Sequence, residues 1–308
     1  MRNRWATVLK IGVTLLGLGI VIARFDVTAV AAALTQVQPG WLLASFLLVN
    51  ASLVLRAFRW LRLVRGLGLK ISFGRLVALY FVGSFFNAFL PSGFGGDVVR
   101  VVEAAQDAPA GAAAGTVIVD RLTGLLTLFL LALLALPFRP AAFPASLAQT
   151  ILFVSLAGLL GGLVLLEGSW LRRIGRHLPG PFTTASEGFV AQVVRAVTEC
   201  GRRAVGEATA VSILFNLMQA AWWAFTGRAL GLELPFITYL LVVPLFALLL
   251  LLPSIGGLGV RESLAPLLLP LGAARPEQAI ALVFLIFVQE RLSGLLGGPV
   301  YLYTLLRK

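Results

Sequence analysis

Cysteine and histidine are almost absent: Cys200 and His177 are the single examples of each in 308 residues. One cysteine closes no internal disulfide, and the two together cannot assemble the ligands of a zinc site. Charge is scarce too. Charged residues make up 12%, about half of the ~25% carried by ordinary soluble domains, so no water-facing surface of this size can be built from them. Acidic residues are the rarer sign, 13 Asp+Glu against 25 Lys+Arg, for a net charge of +12. In a soluble protein that surplus would point to nucleic acid. In a chain that is 59% hydrophobic with mean hydropathy +0.96, it marks the cytoplasmic loops of a membrane protein. A Gly-x-x-x-x-Gly-Lys-[Ser/Thr] phosphate loop is missing as well, which argues against direct use of ATP.

What the chain does have is long apolar runs. A bilayer span needs ~20 apolar residues, and runs of that order lie near Val8–Ala23, Trp41–Phe58, 112–136, 147–166, 208–227 and 277–305. Shorter apolar stretches cover 76–90 and 236–252. The basic start and Ala29-Val30-Ala31 would also suit a signal peptide, but the later spans require a cytoplasmic start, so residues 8–23 read as a first span. Between 167 and 206 lies one extended polar region. There Phe189, Val193, Val197 and Cys200 recur at helical spacing, which predicts a surface helix in the interfacial plane. Placing the N-terminus, 56–75, 167–206 and the C-terminus in the cytoplasm assigns 17 basic residues to that side and 4 (Arg24, Arg139, Arg228, Arg275) to the other. That bias predicts that both termini are cytoplasmic. Trp60 and Trp222-Trp223 are assigned to the interfacial aromatic belt.

The chain repeats itself. Arg65-Gly-Leu-Gly-Leu-Lys-Ile-Ser-Phe73 matches Arg228-Ala-Leu-Gly-Leu-Glu-Leu-Pro-Phe236. Leu90-Pro-Ser-Gly-Phe-Gly-Gly-Asp-Val-Val-Arg100 matches Leu252-Pro-Ser-Ile-Gly-Gly-Leu-Gly-Val-Arg261 with one gap, and Asp120-Arg-Leu-Thr-Gly matches Glu290-Arg-Leu-Ser-Gly. The units, about 59–136 and 222–305, are entered from opposite faces in the span count. They therefore form an inverted-topology repeat, the architecture of transporters with a site near the midplane. In each unit a Pro/Gly break leaves an arm of about ten residues, ~15 Å of helix and half of a ~30 Å hydrocarbon core. Segments 76–107 and 236–272 are accordingly expected to be re-entrant hairpins with meeting tips. The expectation is an all-α polytopic membrane protein with six full spans plus two hairpins, or eight if each hairpin is counted.

Charges at membrane depth are costly and mark sites by default. Arg100 and Arg261, with Asn87, Ser92, Gly95, Gly96, Asp97, Ser254, Gly256, Gly257 and Glu262, are expected to hold an anionic group beside helix N-termini. The competing expectation is that these arginines neutralise their own acids. Asp120-Arg121 and Glu290-Arg291 are expected to be ion-pair struts that lock the long helices to the hairpins. Asp97 is expected to cap its own helix. Its counterpart is Leu258, so the second return helix is expected to be uncapped and the better anion site.

The paired Leu-Pro-Ser/Gly-Gly motifs, with Phe86-Asn87, Asp97, Arg100, Asp120-Arg121, Arg261-Glu262 and Glu290-Arg291, resemble the flippase-like membrane domain of bacterial lysylphosphatidylglycerol synthases, from about residue 5 to 305. The resemblance implies a flippase that moves an anionic phospholipid or a polyprenyl-linked lipid between leaflets of a prokaryotic plasma (inner) membrane. It implies no cofactor and no nucleic acid, and a lipid-synthesising enzyme encoded separately. The aminoacyltransferase part of that family lies outside this sequence, so transport and not aminoacyl transfer is expected. The alternatives are a secondary transporter of a small anionic solute and, ranked lower, an intramembrane lipid-modifying enzyme or an envelope-assembly scaffold.

Overall fold

The computed structural model describes residues 2–89, 95–167, 173, 189–269 and 275–306, and these residues are helical with no strand. The chain runs α1 (Arg2–Arg24), α2 (Val27–Thr35), α3 (Pro39–Gly66), α4 (Phe73–Phe89), α5 (Gly95–Ala104), α6 (Ala110–Ala135), α7 (Ala145–Glu167), α8 (Phe189–Glu199), α9 (Arg202–Ala229), α10 (Phe236–Leu249), α11 (Val260–Leu268), α12 (Pro276–Leu295) and α13 (Gly297–Leu306). Five segments are long and apolar enough to cross a bilayer: α3, α6 with its short extension, α7, α9, and α12 joined to α13. Leu9–Arg24 and α2 are together apolar and long enough for one more, but are bent by 92° at their junction, as in a broken span or a re-entrant loop. This is a multi-pass membrane protein of the all-α class.

The bend after Arg24 was not expected from sequence. Asp26 ends the first helix and starts the second, accepting hydrogen bonds from the Thr28 and Ala29 N–H groups at 2.8 and 3.2 Å. An N-cap carboxylate there satisfies donors that a continuous helix would have used internally.

The two sequence-matched segments share local structure. α3 and α9 close with the same turn, in which Gly68 (φ 70) and Gly231 (φ 74) take the left-handed conformation. The Leu69 N–H reaches back to the Val64 carbonyl at 3.1 Å, and the Leu232 N–H to Gly227 at 2.9 Å, the six-to-one bond of a glycine-terminated helix. These two leading helices are antiparallel neighbours. The Gln38 N–H donates to the Ala229 carbonyl at 2.8 Å, Trp41 packs on Phe225 at 5.2 Å, Arg59 donates to Ser212 at 3.1 Å, and Gly66 meets Ala204. Numbers rise along one helix as they fall along the other, which is the relationship an inverted repeat requires.

After each leading helix comes a short arm, α4 or α10, of 17 or 14 residues. These cover about 26 and 21 Å at 1.5 Å per residue, short of a ~30 Å core. The shorter return arms α5 and α11 follow, and then the long helices α6 and α12. The halves are exchanged: α4 packs on α12 and α13 of the other half, and α10 packs on α6.

Three expectations are corrected. Arg56 and Arg59, assigned to the basic cytoplasmic loop, lie inside α3, and Arg59 is 2% exposed. Trp60, Trp222 and Trp223 are core residues at 0%, 5% and 2% exposure, not an interfacial belt. The Trp60 indole donates to Thr116 at 3.0 Å and that of Trp222 to Gln289 at 2.9 Å, which supplies the partner a buried indole N–H needs. Finally, the apolar stripe of α8 (Ala191, Val194, Val197) is buried, and the helix packs on α6, so its amphipathic face is covered by protein. His177, and most of the 167–206 region before α8, lie outside the described residues.

Candidate functional site

The first hairpin is held by close backbone approach. A side chain on Gly96 would run into the Gly83 carbonyl oxygen, and one on Gly83 would come within 2.9 Å of the Arg100 side chain. The Asn87 carbonyl oxygen Oδ1 accepts the Gly96 N–H at 2.7 Å. Asn87, on the outgoing arm, is thus what caps the return helix. Asp97 is turned instead to Arg100, at 3.1 Å, and to Arg121. Gly95 and Gly96 are buried at the start of α5. Ser92 and Pro91 lie outside the described residues.

Behind this hairpin, Asp120 is fully buried on α6 and gathers three donors. Arg59 Nε lies at 2.7 Å from Oδ1, Arg100 Nη2 lies at 3.2 Å from Oδ2, and the Tyr80 hydroxyl donates to Oδ2. Arg100, 2% exposed, also stacks on the Tyr80 and Trp60 rings at 3.8 and 4.3 Å. Gly124 leaves room for the Arg59 guanidinium, since a Cβ there would sit 2.6 Å from Arg59 Nη1. Three helices (α3, α4, α6) and the hairpin arm α5 therefore converge on one carboxylate. Arg59 and Tyr80 were not among the residues singled out from sequence. Arg59 was hidden in a run of arginines three apart, and nothing in the sequence marks Tyr80.

The second hairpin repeats the pairing with different detail. Arg261, 2% exposed, lies 2.9 Å from Glu290 Oε2 and 3.5 Å from Oε1. Arg100 with Asp120 and Arg261 with Glu290 are equivalent pairs, each joining a return arm to the long helix after it. The return helix is not uncapped as the sequence suggested. Gly259, at φ 82, donates its N–H to Glu262 Oε2 at 2.6 Å, so an acid three residues inside the helix replaces the missing cap. The other Glu262 oxygen is buried with no hydrogen-bond partner among the described residues. The tip is unwound through Gly256 (φ 61) and Gly257 (φ 84), and α1 holds it, with the Ile255 N–H donating to the Thr14 hydroxyl at 3.0 Å. Ser254 is buried in this turn, its hydroxyl 3.5 Å from the Leu252 carbonyl.

Arg121 and Arg291, matched in sequence, act differently. Arg121 stays in its own half on Asp97. Arg291 crosses to the other half and donates to the Asn87 and Ala88 carbonyls at 2.9 and 2.6 Å. A side chain on Gly256 would overlap the same guanidinium. The outgoing arm of one hairpin and the tip of the other thus lie on two sides of Arg291.

Among the described residues no group of three or more His, Cys, Asp or Glu is placed to hold a metal. A cavity of about 360 Å³ lies away from the hairpins, where Leu67, Pro109 and Arg195 line the space beneath α8.

Antiparallel leading helices, two pairs of short arms and buried arginine–carboxylate pairs on sequence-matched arms lie within an all-α polytopic membrane protein. Residues 7–297 match the family model of the lysylphosphatidylglycerol synthase TM region, and the chain belongs to that family. No curated protein matches the sequence.

Proposed function

We infer that the protein is a lipid flippase: it moves an anionic phospholipid or lipid-linked sugar between leaflets while the acyl chains stay in the bilayer. The observation that carries this reading is the pair of hairpins that stop short of a full span, each anchored through a buried arginine to the long helix after it. Irregular backbone at membrane depth is tolerated where it is buried in protein or lines a cavity, and in transporters such breaks sit at the substrate site. In the arrangement described, Asn87 accepts the Gly96 N–H at the start of α5, Glu262 accepts the N–H of Gly259 just before α11, and Arg100 and Arg261 are paired. An arriving anionic headgroup competes with Asp97 and Glu290 for these guanidinium groups, and exchange of partners frees a hairpin arm to move against its long helix.

In this reading the chain is a transporter and not an enzyme, lies in a prokaryotic plasma membrane with both termini cytoplasmic, and receives its lipid from a separately encoded synthesising enzyme. Mass spectrometry of lipid co-purified with the protein tests it. One anionic lipid enriched over the membrane average supports the reading. A lipid profile equal to that of the membrane, together with saturable uptake of a soluble anion into vesicles, replaces it with a solute carrier.

A further inference from the structure

The two halves are not balanced in charge. Around the second hairpin Arg261 and Arg291 stand with Glu262 and Glu290, two against two. Around the first, Arg56, Arg59, Arg75, Arg100 and Arg121 stand with Asp97, Glu103, Asp107 and Asp120, five against four. Arg59 and Arg100 share Asp120, and Arg100 and Arg121 share Asp97. Among the described residues Arg56 makes no salt bridge. Its guanidinium lies over the rings of Tyr80 and Phe215 at 5.0 and 5.3 Å, its Nε is buried without an acceptor, and its side chain has no hydrogen-bond partner among the described residues. The repeat gives it no charged counterpart, because the matching position of the second half is Gln219.

A guanidinium carries five N–H donors and stays charged. Arg56 lies about ten residues, roughly 15 Å, before the end of α3, within the depth of a ~30 Å hydrocarbon layer. A cation at that depth needs a partner, and the described residues supply two aromatic faces. Arg56 is partly exposed while Arg59 and Arg100 are buried behind it, so an incoming group meets Arg56 first and the surplus positive field second.

We propose that Arg56, backed by Arg59, is the docking point of a phosphate group, with Tyr80 and Phe215 fixing the plane of the guanidinium fork. Phosphate fits because its oxygens match that fork and its charge offsets the surplus. A phospholipid headgroup and free inorganic phosphate share this chemistry; assignment to the lipid rests on the flippase reading above.

The test is the unfolding temperature of the detergent-solubilised protein, titrated with dioleoyl-phosphatidylglycerol, with dioleoylglycerol (the same chains without phosphate) and with inorganic phosphate. Phosphatidylglycerol is expected to stabilise the wild type and dioleoylglycerol not to. Arg56→Gln is expected to raise the half-saturating phosphatidylglycerol concentration by about tenfold or more. Arg56→Lys should lie between, and Arg62→Gln, which loses the pair with Glu207 and the stacking on Phe58, should leave it unchanged. A folded Arg56→Gln variant that saturates with the wild type overturns the site while leaving the lipid reading intact. Should Arg56→Gln fail to fold, an unshifted Arg56→Lys overturns it equally. Arg56-dependent saturation by inorganic phosphate, with no effect of the lipid, upholds the site and overturns the flippase reading. Stabilisation by neither probe overturns the site.

Discussion

Arg291 and Ala88 come from opposite halves of the repeat, yet the Arg291 guanidinium donates to the Ala88 main-chain carbonyl at 2.6 Å. α4 ends one residue later, so the arginine satisfies carbonyls that the last turn of a helix leaves without an intrahelical donor, and it places positive charge at the negative end of the helix dipole. Replacing it by methionine keeps most of the volume and removes the donors. The expected cost is about 1.5–3 kcal/mol for charge-assisted hydrogen bonds, read as a lower unfolding midpoint in nanodiscs.

The buried Asp120 carboxylate accepts from three side chains, Arg59, Tyr80 and Arg100. Asp120→Asn leaves Arg59 and Arg100 buried beside a neutral amide, and loss of one partner of a buried pair costs about 3–5 kcal/mol. Glu290→Gln is expected to cost less, because the Glu290 side chain is 32% exposed and water can replace the lost partner. A double-mutant cycle of Asp120→Asn with Arg59→Gln should show coupling above 1 kcal/mol, roughly the threshold of a direct contact. Additive effects would contradict the 2.7 Å pair.

Much of this was legible in the sequence and part was not. The five span-length helices follow from long apolar runs, and the short arms between them from Pro and Gly, because those residues act locally on chain direction. The Asp120 network was legible only in part. Arg59 is 61 residues away in the chain, and arginines at 56, 59, 62 and 65 look alike whether a helix has ended or continues. The tryptophans were misplaced for the same reason: indole suits an interface and a polar-lined core equally well, and only packing separates them. Capping was misread at both hairpins, since the actual acceptors, Asn87 and Glu262, lie on the opposite arm and inside the helix.

Gly259 combines a left-handed backbone with direct contact to α1, where a Cβ would come within 2.5 Å of the Thr14 carbonyl oxygen. Gly259→Ala is expected to lower the unfolding midpoint by at least the ~1–3 kcal/mol of a strained backbone position. Gly12→Ala, in open space on α1, should be neutral or mildly stabilising through helix propensity. Equal effects of the two would remove the case for α1 as a brace on the second tip.

Cys200, between α8 and α9, is 1% exposed, and burial pushes its thiol up to about 12. With the pKa raised, the thiolate is scarce at neutral pH and grows as pH rises toward that value. Maleimide labelling of the folded protein is therefore expected to be negligible at pH 7 and to stay slow at pH 9, while the denatured protein labels promptly. Rapid labelling of the folded protein at pH 7 would show α8 detached from α6.

The central claim is lipid movement between leaflets, and the most direct measurement is made on unilamellar vesicles holding the purified protein and a trace of headgroup-labelled phosphatidylglycerol. A membrane-impermeant reductant bleaches the outer leaflet. The account expects loss of about half the signal in protein-free vesicles and a further, protein-dependent loss in reconstituted ones, slowed by Arg56→Gln but not by Arg62→Gln. Bleaching that stops at the protein-free level, in vesicles shown to contain folded protein, would contradict it.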